Sequence, residues 1–396
     1  MADCDWAGQW HNSGGWPMIR IVEVDDADRT QARQFLDLPF RIYRDVPQWV
    51  PPLSGDAARQ LDRKRHPFFR HSEAAFLLAY RDAEVCGRLC VLDNRHYNDF
   101  NASRTAHFFL FECEDDLAVS RALFDAACAW ARRRGLDGIE GPKGMTALDG
   151  LGLLVEGFEH RPAFGIPYNR DYYPKLVEDA GFVATSDIVS GYLSPRTLNA
   201  AAFEQIDRVA ERVKLRRGLR VARFASRREL RGAMPALLEL YNGALGRSEG
   251  NVPFTQAEAK AMASQILWFA DPRLIKLVYK SGKPVGFLLA YPDISEAVRR
   301  VHGRLWPLGW FRLWRALKTT TWVNVNGMGI LAEHRGGGGT ALLFSEMLRS
   351  IVEGGFEHAD LVQIGVENME MQREMRGLGI SFYKTHRMYA RSLGQL

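Results

Sequence analysis

The chain has 396 residues, 46% hydrophobic and 25% charged, a composition ordinary for a globular protein. That length suits two domains of about 150–200 residues better than one core. The formal charge of +5 and pI near 8.9 suit an anionic cofactor or an acidic membrane surface, but the excess is too small and scattered for nucleic acid. No run of about 18 uncharged apolar residues occurs, so no membrane-spanning helix is expected.

Residues 1–17 contain Asp3, Asp5 and His11 and lack a basic start followed by an apolar block. They read as a disordered extension before Met18, not as a signal peptide. The five cysteines, Cys4, Cys86, Cys90, Cys113 and Cys128, are odd in number and form no C-x-x-C knuckle. That points to a reducing, cytoplasmic compartment, with no disulfide frame and no metal site. Cys86 and Cys90 are expected on one face of a strand as small core residues.

Residues 18–196 form the first expected unit. Apolar runs at 75–80 and 85–89, with a turn between them, predict a hairpin with Gly87 just inside its second strand. A strand at 107–111 then leads into Glu112, Cys113, Glu114, Asp115 and Asp116. Leu123, Ala127 and Trp130 recur at helical spacing, and Gly135 sits where a C-terminal cap belongs. Asn169, Tyr172, Tyr173, Gly181 and Phe182 close the unit. Residues 197–217, rich in Arg and Glu with Phe203, Ile206 and Val213, predict a connecting helix.

Residues 218–396 repeat that order. A hairpin is expected at 274–279 and 284–288, with Gly286 in the place of Gly87. An insertion at 299–322 follows, holding Trp306, Trp310, Phe311, Trp314 and Trp322 among six basic residues. Pro307 and Gly309 would start a helix there, with Trp310, Leu313, Trp314 and Leu317 on one face. Such a helix fits a membrane interface, with rings at the headgroup boundary and cations toward anionic lipid, and equally fits a helix packed on the domain.

Next comes a strand, then Arg335, Gly336, Gly337, Gly338, Gly339 and Thr340, then a helix marked by Leu343, Met347 and Ile351. Glycines let a backbone approach a pyrophosphate, and the first N–H groups of the helix have no intrahelical partner. Arg335 adds a forked cation, and Thr340 is expected as the helix N-cap. The first unit instead places carboxylates at this position, which would repel a pyrophosphate. Asn368, Gly379, Ile380 and Tyr383 close the second unit as Asn169 and its followers close the first. The matching order predicts two copies of one α/β unit, each a mixed sheet flanked by helices, the first degenerate.

Hairpin, strand, Arg-Gly-x-Gly turn, helix, strand, Asn and a Tyr/Gly closing element resemble the GNAT acyltransferases. The resemblance implies that Arg335, Gly336, Gly337, Gly338, Gly339 and Thr340 hold the pyrophosphate of acyl-CoA, used as a cosubstrate. It implies that Ile330 and Leu331 lie beside the pantetheine arm. The whole chain, from about Met18 to Leu393, resembles a narrower two-unit group, the bacterial ceramide synthase-like proteins. That likeness rests on residues 45–52, on 66–69, and on Gly141-Pro142, Gly152-Leu153-Leu154, Pro167-Tyr168-Asn169 and Tyr172-Tyr173. It implies N-acylation of a long-chain sphingoid amine at the inner face of a membrane. It also places Tyr241, Asn242 and residues 252–255 on a flap over the acceptor.

Amide formation needs a neutral nitrogen, an oxyanion donor and an acid for the leaving thiolate. Tyr383 and Tyr389 are the acid candidates. Glu367 beside Asn368, with Glu333, Asp293 and His302, are candidates for the base. Trp310 and Trp314 are candidates for contact with the lipid acceptor. A small soluble amine as acceptor, or a non-catalytic acyl-CoA-binding regulator, remain open alternatives.

Overall fold

The computed structural model describes residues 19–25, 27–146, 149–246, 251–367 and 369–394. The first half contains β1 (Ile19–Glu23), α1 (Arg29–Ile42), α2 (Ser54–Leu61), β2 (Glu73–Arg81), β3 (Glu84–Asp93) and α3 (Arg95–Asn101). It continues with β4 (Thr105–Cys113), α4 (Leu117–Arg133), β5 (Gly138–Gly141), β6 (Leu153–Glu156), α5 (Tyr173–Asp179) and β7 (Val183–Leu193). The connecting helix is α6 (Ala200–Arg217). The second half contains β8 (Leu219–Arg223), α7 (Arg227–Ala244), α8 (Gln256–Phe269), β9 (Lys276–Lys280), β10 (Lys283–Pro292), α9 (Ser295–Arg300) and α10 (Gly309–Thr319). It ends with β11 (Trp322–Ile330), α11 (Gly339–Glu353), β12 (His358–Gly365), α12 (Met369–Gly377) and β13 (Ser381–Ser392).

The internal repeat extends to backbone detail. In the first hairpin Ala79 faces Gly87 and Tyr80 faces Val85, so Cys86 is an extra, bulged residue. In the second, Pro284 faces Tyr279 and Gly286 faces Val278, so Val285 is bulged at the matching place. Each bulge carbonyl accepts an N–H from the turn after the third strand of its half: Glu114 donates to Cys86 and Leu331 to Val285, both at 3.0 Å. A bulge adds one residue and reverses the alternation beyond it. Cys86 and Cys90 therefore lie on opposite faces, correcting the expectation that they share one. Cys86 packs with Leu123 and Ala127, and Cys90 packs with Phe35 and Phe76.

All strands join one sheet, in the order β1-β2-β3-β4-β5-β13-β7-β12-β11-β10-β9-β8, with β6 also paired to β13. The last strands of the two halves are exchanged. β13, from the second half, pairs with β5 of the first, and β7, from the first half, pairs with β12 of the second. The two lie antiparallel against each other. Each leaves one core for the other. β13 begins beyond Ile380, which packs with Met347 and Leu361, and carries Tyr389 into the cluster around Phe124 and Phe182. The expected units, 18–196 and 218–396, are thus crossed by a strand in each direction.

α4 and α5 cover one face of the first half and α1 the other. α6 and α11 cover one face of the second half, and α7 and α8 the other. Among the described residues no helix is long and apolar enough to cross a membrane.

Candidate active site

The glycine turn lies where β11 runs into α11. Gly336 and Gly338 have φ of 69° and 80°, in the left-handed region that other residues enter only at a cost. Gly338 is the N-cap of α11, and no side chain caps that helix. Thr340 is the second residue inside it and does not cap, which corrects the sequence expectation. A Cβ on Gly338 would stand 2.4 Å from Val213 Cγ2 of α6, and one on Gly339 would stand 2.9 Å from Ile330 Cδ1. Left-handed Gly338 followed by helical Gly339 turns successive N–H groups to one side, a concavity suited to phosphate. Arg335 donates to Ile330 O and Ala244 O, both at 3.3 Å, tying the turn to β11 and to the end of α7. The sequence reading passed over Arg217 of α6, whose Nη1 lies 3.6 Å from the position of a Gly337 Cβ.

Beside the turn the sheet opens. β11 and β12 are parallel partners only from Trp322–His358 to Val325–Leu361. Beyond that point β11 follows β10, with a bulge at Asn326, and β12 follows β7. Gln363, at φ 55°, bends β12 away, and its amide pairs with both backbone groups of Leu151. The two strands therefore present backbone edges to a gap that runs toward the N-terminus of α11.

In the first half the same place is closed. β4 and β5 are parallel partners over three residues before parting. The free backbone groups of Cys113 are used by tyrosines: its N–H donates to Tyr173 Oη and its carbonyl accepts from Tyr172 Oη, both at 2.9 Å. Asp116 caps α4, and Arg81 bridges Glu114 and Asp116. The helix terminus that would bind a phosphate is satisfied by the chain itself.

On the face opposite α11, one residue before the gap opens, Asn324 and Asp360 are register partners. Both are buried, and Asn324 Oδ1 and Asp360 Oδ1 have no hydrogen-bond donor among the protein groups described. Asp360 Oδ2 accepts from Tyr383 Oη at 2.8 Å and from Lys384 Nζ at 2.7 Å. Burial, together with the adjacent Asp360 carboxylate, pushes the Tyr383 phenol far above its ordinary range. Tyr291 Oη accepts from Asn324 and Asn326 at 3.2 and 3.1 Å. Residues 161–164 of the first half lie against this cluster: Arg161 O accepts from Lys384 and Phe164 O from Asn324. The strand pattern held a signal for these residues. Asn324, Asn326 and Asp360 are polar where central strands place side chains in a core.

The other named candidates lie elsewhere or are committed to other bonds. Tyr389 is fully buried in the first half, with its hydroxyl 3.3 Å from Glu178, so strand exchange separates it from the turn. Asp293 accepts from Arg161, Phe164 N, Ser295 N and Ser295 Oγ, which locks the two halves together. Glu333, His302 and Glu367 are exposed, and Asn368 lies outside the described residues. Tyr241 packs its ring on Phe254 and Phe287, and burial pushes its phenol up to about 12. Asn242 makes a two-way amide pair with Phe254, at 2.8 and 3.2 Å, pinning that segment onto α7. Trp310, Leu313, Trp314 and Leu317 fall at helical spacing on α10 as expected; Leu313 is buried, whereas Trp310 and Trp314 are 54% and 49% exposed.

Comparison with known proteins agrees with this fold. Protein YghO of Escherichia coli strain K12 is 26% identical over 374 residues, covering 92% of this chain and 94% of that protein. Bacterial ceramide synthase of Caulobacter vibrioides is 27% identical over 373 residues, covering 92% and 95%. A solved tandem GNAT protein from the clavulanic acid biosynthesis pathway superposes with a TM-score of 0.55 at 14% identity, over 96% of this chain and 99% of that one. No family model matches the sequence. With two copies of the unit in one sheet and a glycine turn in the second alone, this chain has the fold of a tandem GNAT protein.

Proposed function

We propose that this acyltransferase moves a long acyl group from acyl-CoA to the amine of a long-chain or sphingoid base, forming an amide. The observation that carries the reading is the uncapped N-terminus of α11 with its glycine turn, set at the mouth of the gap between β11 and β12. The pyrophosphate would lie on the turn and the pantetheine along β11 from Gly327 to Ile330. Similarity to bacterial ceramide synthase over nearly the whole chain supports the sphingoid acceptor. In this reading the neutral nitrogen attacks the thioester carbonyl, whose oxyanion is held by backbone N–H groups of β11, and the C–S bond breaks. Asp360 takes the proton released by nitrogen. Tyr383 gives its proton to the thiolate and recovers one from Asp360, so one proton passes from nitrogen to sulfur. Burial and the Asp360 carboxylate hold the Tyr383 phenol protonated; once Asp360 has taken the proton from nitrogen, the carboxylate's part is relieved and the phenol can give its proton to the thiolate.

The test is product analysis by chromatography and mass spectrometry over acyl-CoA donors from two carbons upward. Each methylene buried at the transition state is worth about 0.8 kcal/mol, so palmitoyl-CoA with sphinganine or its 3-keto precursor should exceed acetyl-CoA by orders of magnitude in kcat/KM. Preference for acetyl-CoA and a soluble amine would overturn the lipid reading. Turnover with no amine would leave an acyl-CoA-binding regulator.

The membrane surface belongs to the same proposal. Trp306 is 84% exposed and Leu308 65%, and Phe311 stacks with Trp314 on the outer side of α10. Lys318 Nζ stands 3.9 Å over the Trp314 ring. Contiguous exposed rings flanked by cations suit the headgroup boundary of an anionic bilayer at the cytoplasmic face. Flotation with phosphatidylglycerol vesicles should recover the protein at low salt and lose it at high salt. Replacing both Trp310 and Trp314 by Ser should weaken recovery at least tenfold. Absence of binding at low salt would remove the membrane from the reading.

A further inference from the structure

Two cavities flank α9. The outer one, about 1090 Å³, is a cleft between the halves. One wall is aromatic, from Phe40, Tyr43 and Trp49 of the first half with Asp37, Arg44 and Asp45 at its edge, and the other joins Val301 and His302 to the ion-paired Glu296, Arg299 and Arg300. Phe40 meets the Trp49 ring edge-on and Tyr43 stacks on it at 4.9 Å, so the aromatic wall is braced. The inner cavity, about 750 Å³, lies between α9 and α10, with Ile294, Ala297, Ala316 and Trp322 among its lining. It ends at the Arg161–Asp293 ion pair. Glu296 and Arg300 line both cavities, so the two adjoin at that point. The inner cavity falls within the roughly 300–1,000 Å³ of ligand sites and the outer lies just above it.

The inner end lies against the reacting groups. The residue whose side chain closes the cavity, Arg161, also gives its carbonyl to Lys384, which pairs with Asp360. Trp322, on the cavity wall, is the first residue of β11, two before Asn324. The aromatic side of α10 that faces outward belongs to the same helix whose Arg312, Arg315, Ala316 and Thr319 form the wall of the inner cavity.

Resting on the acyl-transfer reading, we propose that the two cavities form one channel for the acceptor. Its alkyl chain lies in the cleft between the halves and beneath α10, and its amine end points to Asn324 and Asp360. The chemistry suits a single-chain amphiphilic amine. An aromatic wall lies outward for the alkyl chain, and two buried oxygens with no donor among the protein groups described, Asn324 Oδ1 and Asp360 Oδ1, lie behind the Arg161–Asp293 pair that ends the inner cavity. The channel needs both halves, which gives the first half a binding role although its cofactor turn is closed.

Narrowing the passage tests this. Ala297→Trp and Ala316→Trp, made separately, each place an indole in the inner cavity. With one acyl-CoA, kcat/KM is measured for octadecylamine and for hexylamine. A buried methylene is worth roughly fourfold, so excluding even two should lower the ratio of the two constants at least tenfold. An unchanged ratio overturns the channel. Octadecylamine bearing a terminal diazirine gives a second measurement on the unaltered protein. Photolabelling should map to residues 40–51 or 301–304, and labelling confined elsewhere overturns the proposal. Wild-type protein that turns over no amine would refute the acyl-transfer reading, while the photolabel would still judge the channel.

Discussion

Gly336→Asp should reduce coenzyme A affinity at least tenfold, while Gly336→Asn leaves it within about threefold, as read by titration calorimetry. The contrast follows from the turn. Gly336 has φ 69° and nothing within 4 Å of its Cβ position, so space is available, and Asn and Asp tolerate the left-handed region better than other residues. The two variants then differ by one charge. A carboxylate about 4 Å from a phosphate oxygen at a surface site costs about 4 kcal/mol before salt screening, and a third of that is already tenfold. Gly338 is the poorer position for this test, because any side chain there meets Val213 and disturbs α6 as well. Asp115→Ala, an exposed change at the matching place in the first half, should leave affinity unaltered. Equal loss with Asn and Asp would show that the turn acts through its shape alone. A gain of affinity with Asp115→Ala, with no loss on Gly336→Asp, would move the cofactor to the other half.

Lys384→Met should lower the melting temperature by roughly 6–20 °C, with Asp360→Leu added restoring most of it. Lys384 and Asp360 are both buried and paired at 2.7 Å. Removing one partner strands a charge where solvation is poor, which costs about 3–5 kcal/mol, whereas replacing both by apolar groups is often neutral. The double variant also separates stability from chemistry. It should fold and bind coenzyme A but show acyl transfer reduced at least a hundredfold, because the proton route through Asp360 is gone. A double variant that is both stable and fully active would reduce the pair to a packing device and return the base to another residue.

The hairpins, the paired helices and the glycine turn were legible because each is written locally, by a period of two or 3.6 and by glycine at fixed places. The bulges before Gly87 and Gly286 left no mark except that glycine, so the faces of Cys86 and Cys90 were misassigned. The Asp360–Tyr383–Lys384 cluster was only partly visible. Tyr383 stood out by its place in the closing element, but its partner is a lone Asp in an apolar strand. Tyr389 misled for a deeper reason. β7 and β13 each carry a pattern that either half could accept, and nothing local says that each strand completes the sheet of the other half. Only the long-range pairing decides that Tyr389 meets Glu178 and not the glycine turn.

The exchanged strands also set a schedule for synthesis. β5 has no partner on its β13 side until Ser381 and the residues after it have left the ribosome. At roughly 5–20 residues per second, everything between Gly141 and Ser381 takes on the order of tens of seconds to make. Throughout that interval the first half exposes the backbone edge of β5, a template for pairing with other chains. The nascent protein must therefore be shielded at this edge until its last strand arrives, and ribosomes that stall within the second half leave a product whose first half cannot close.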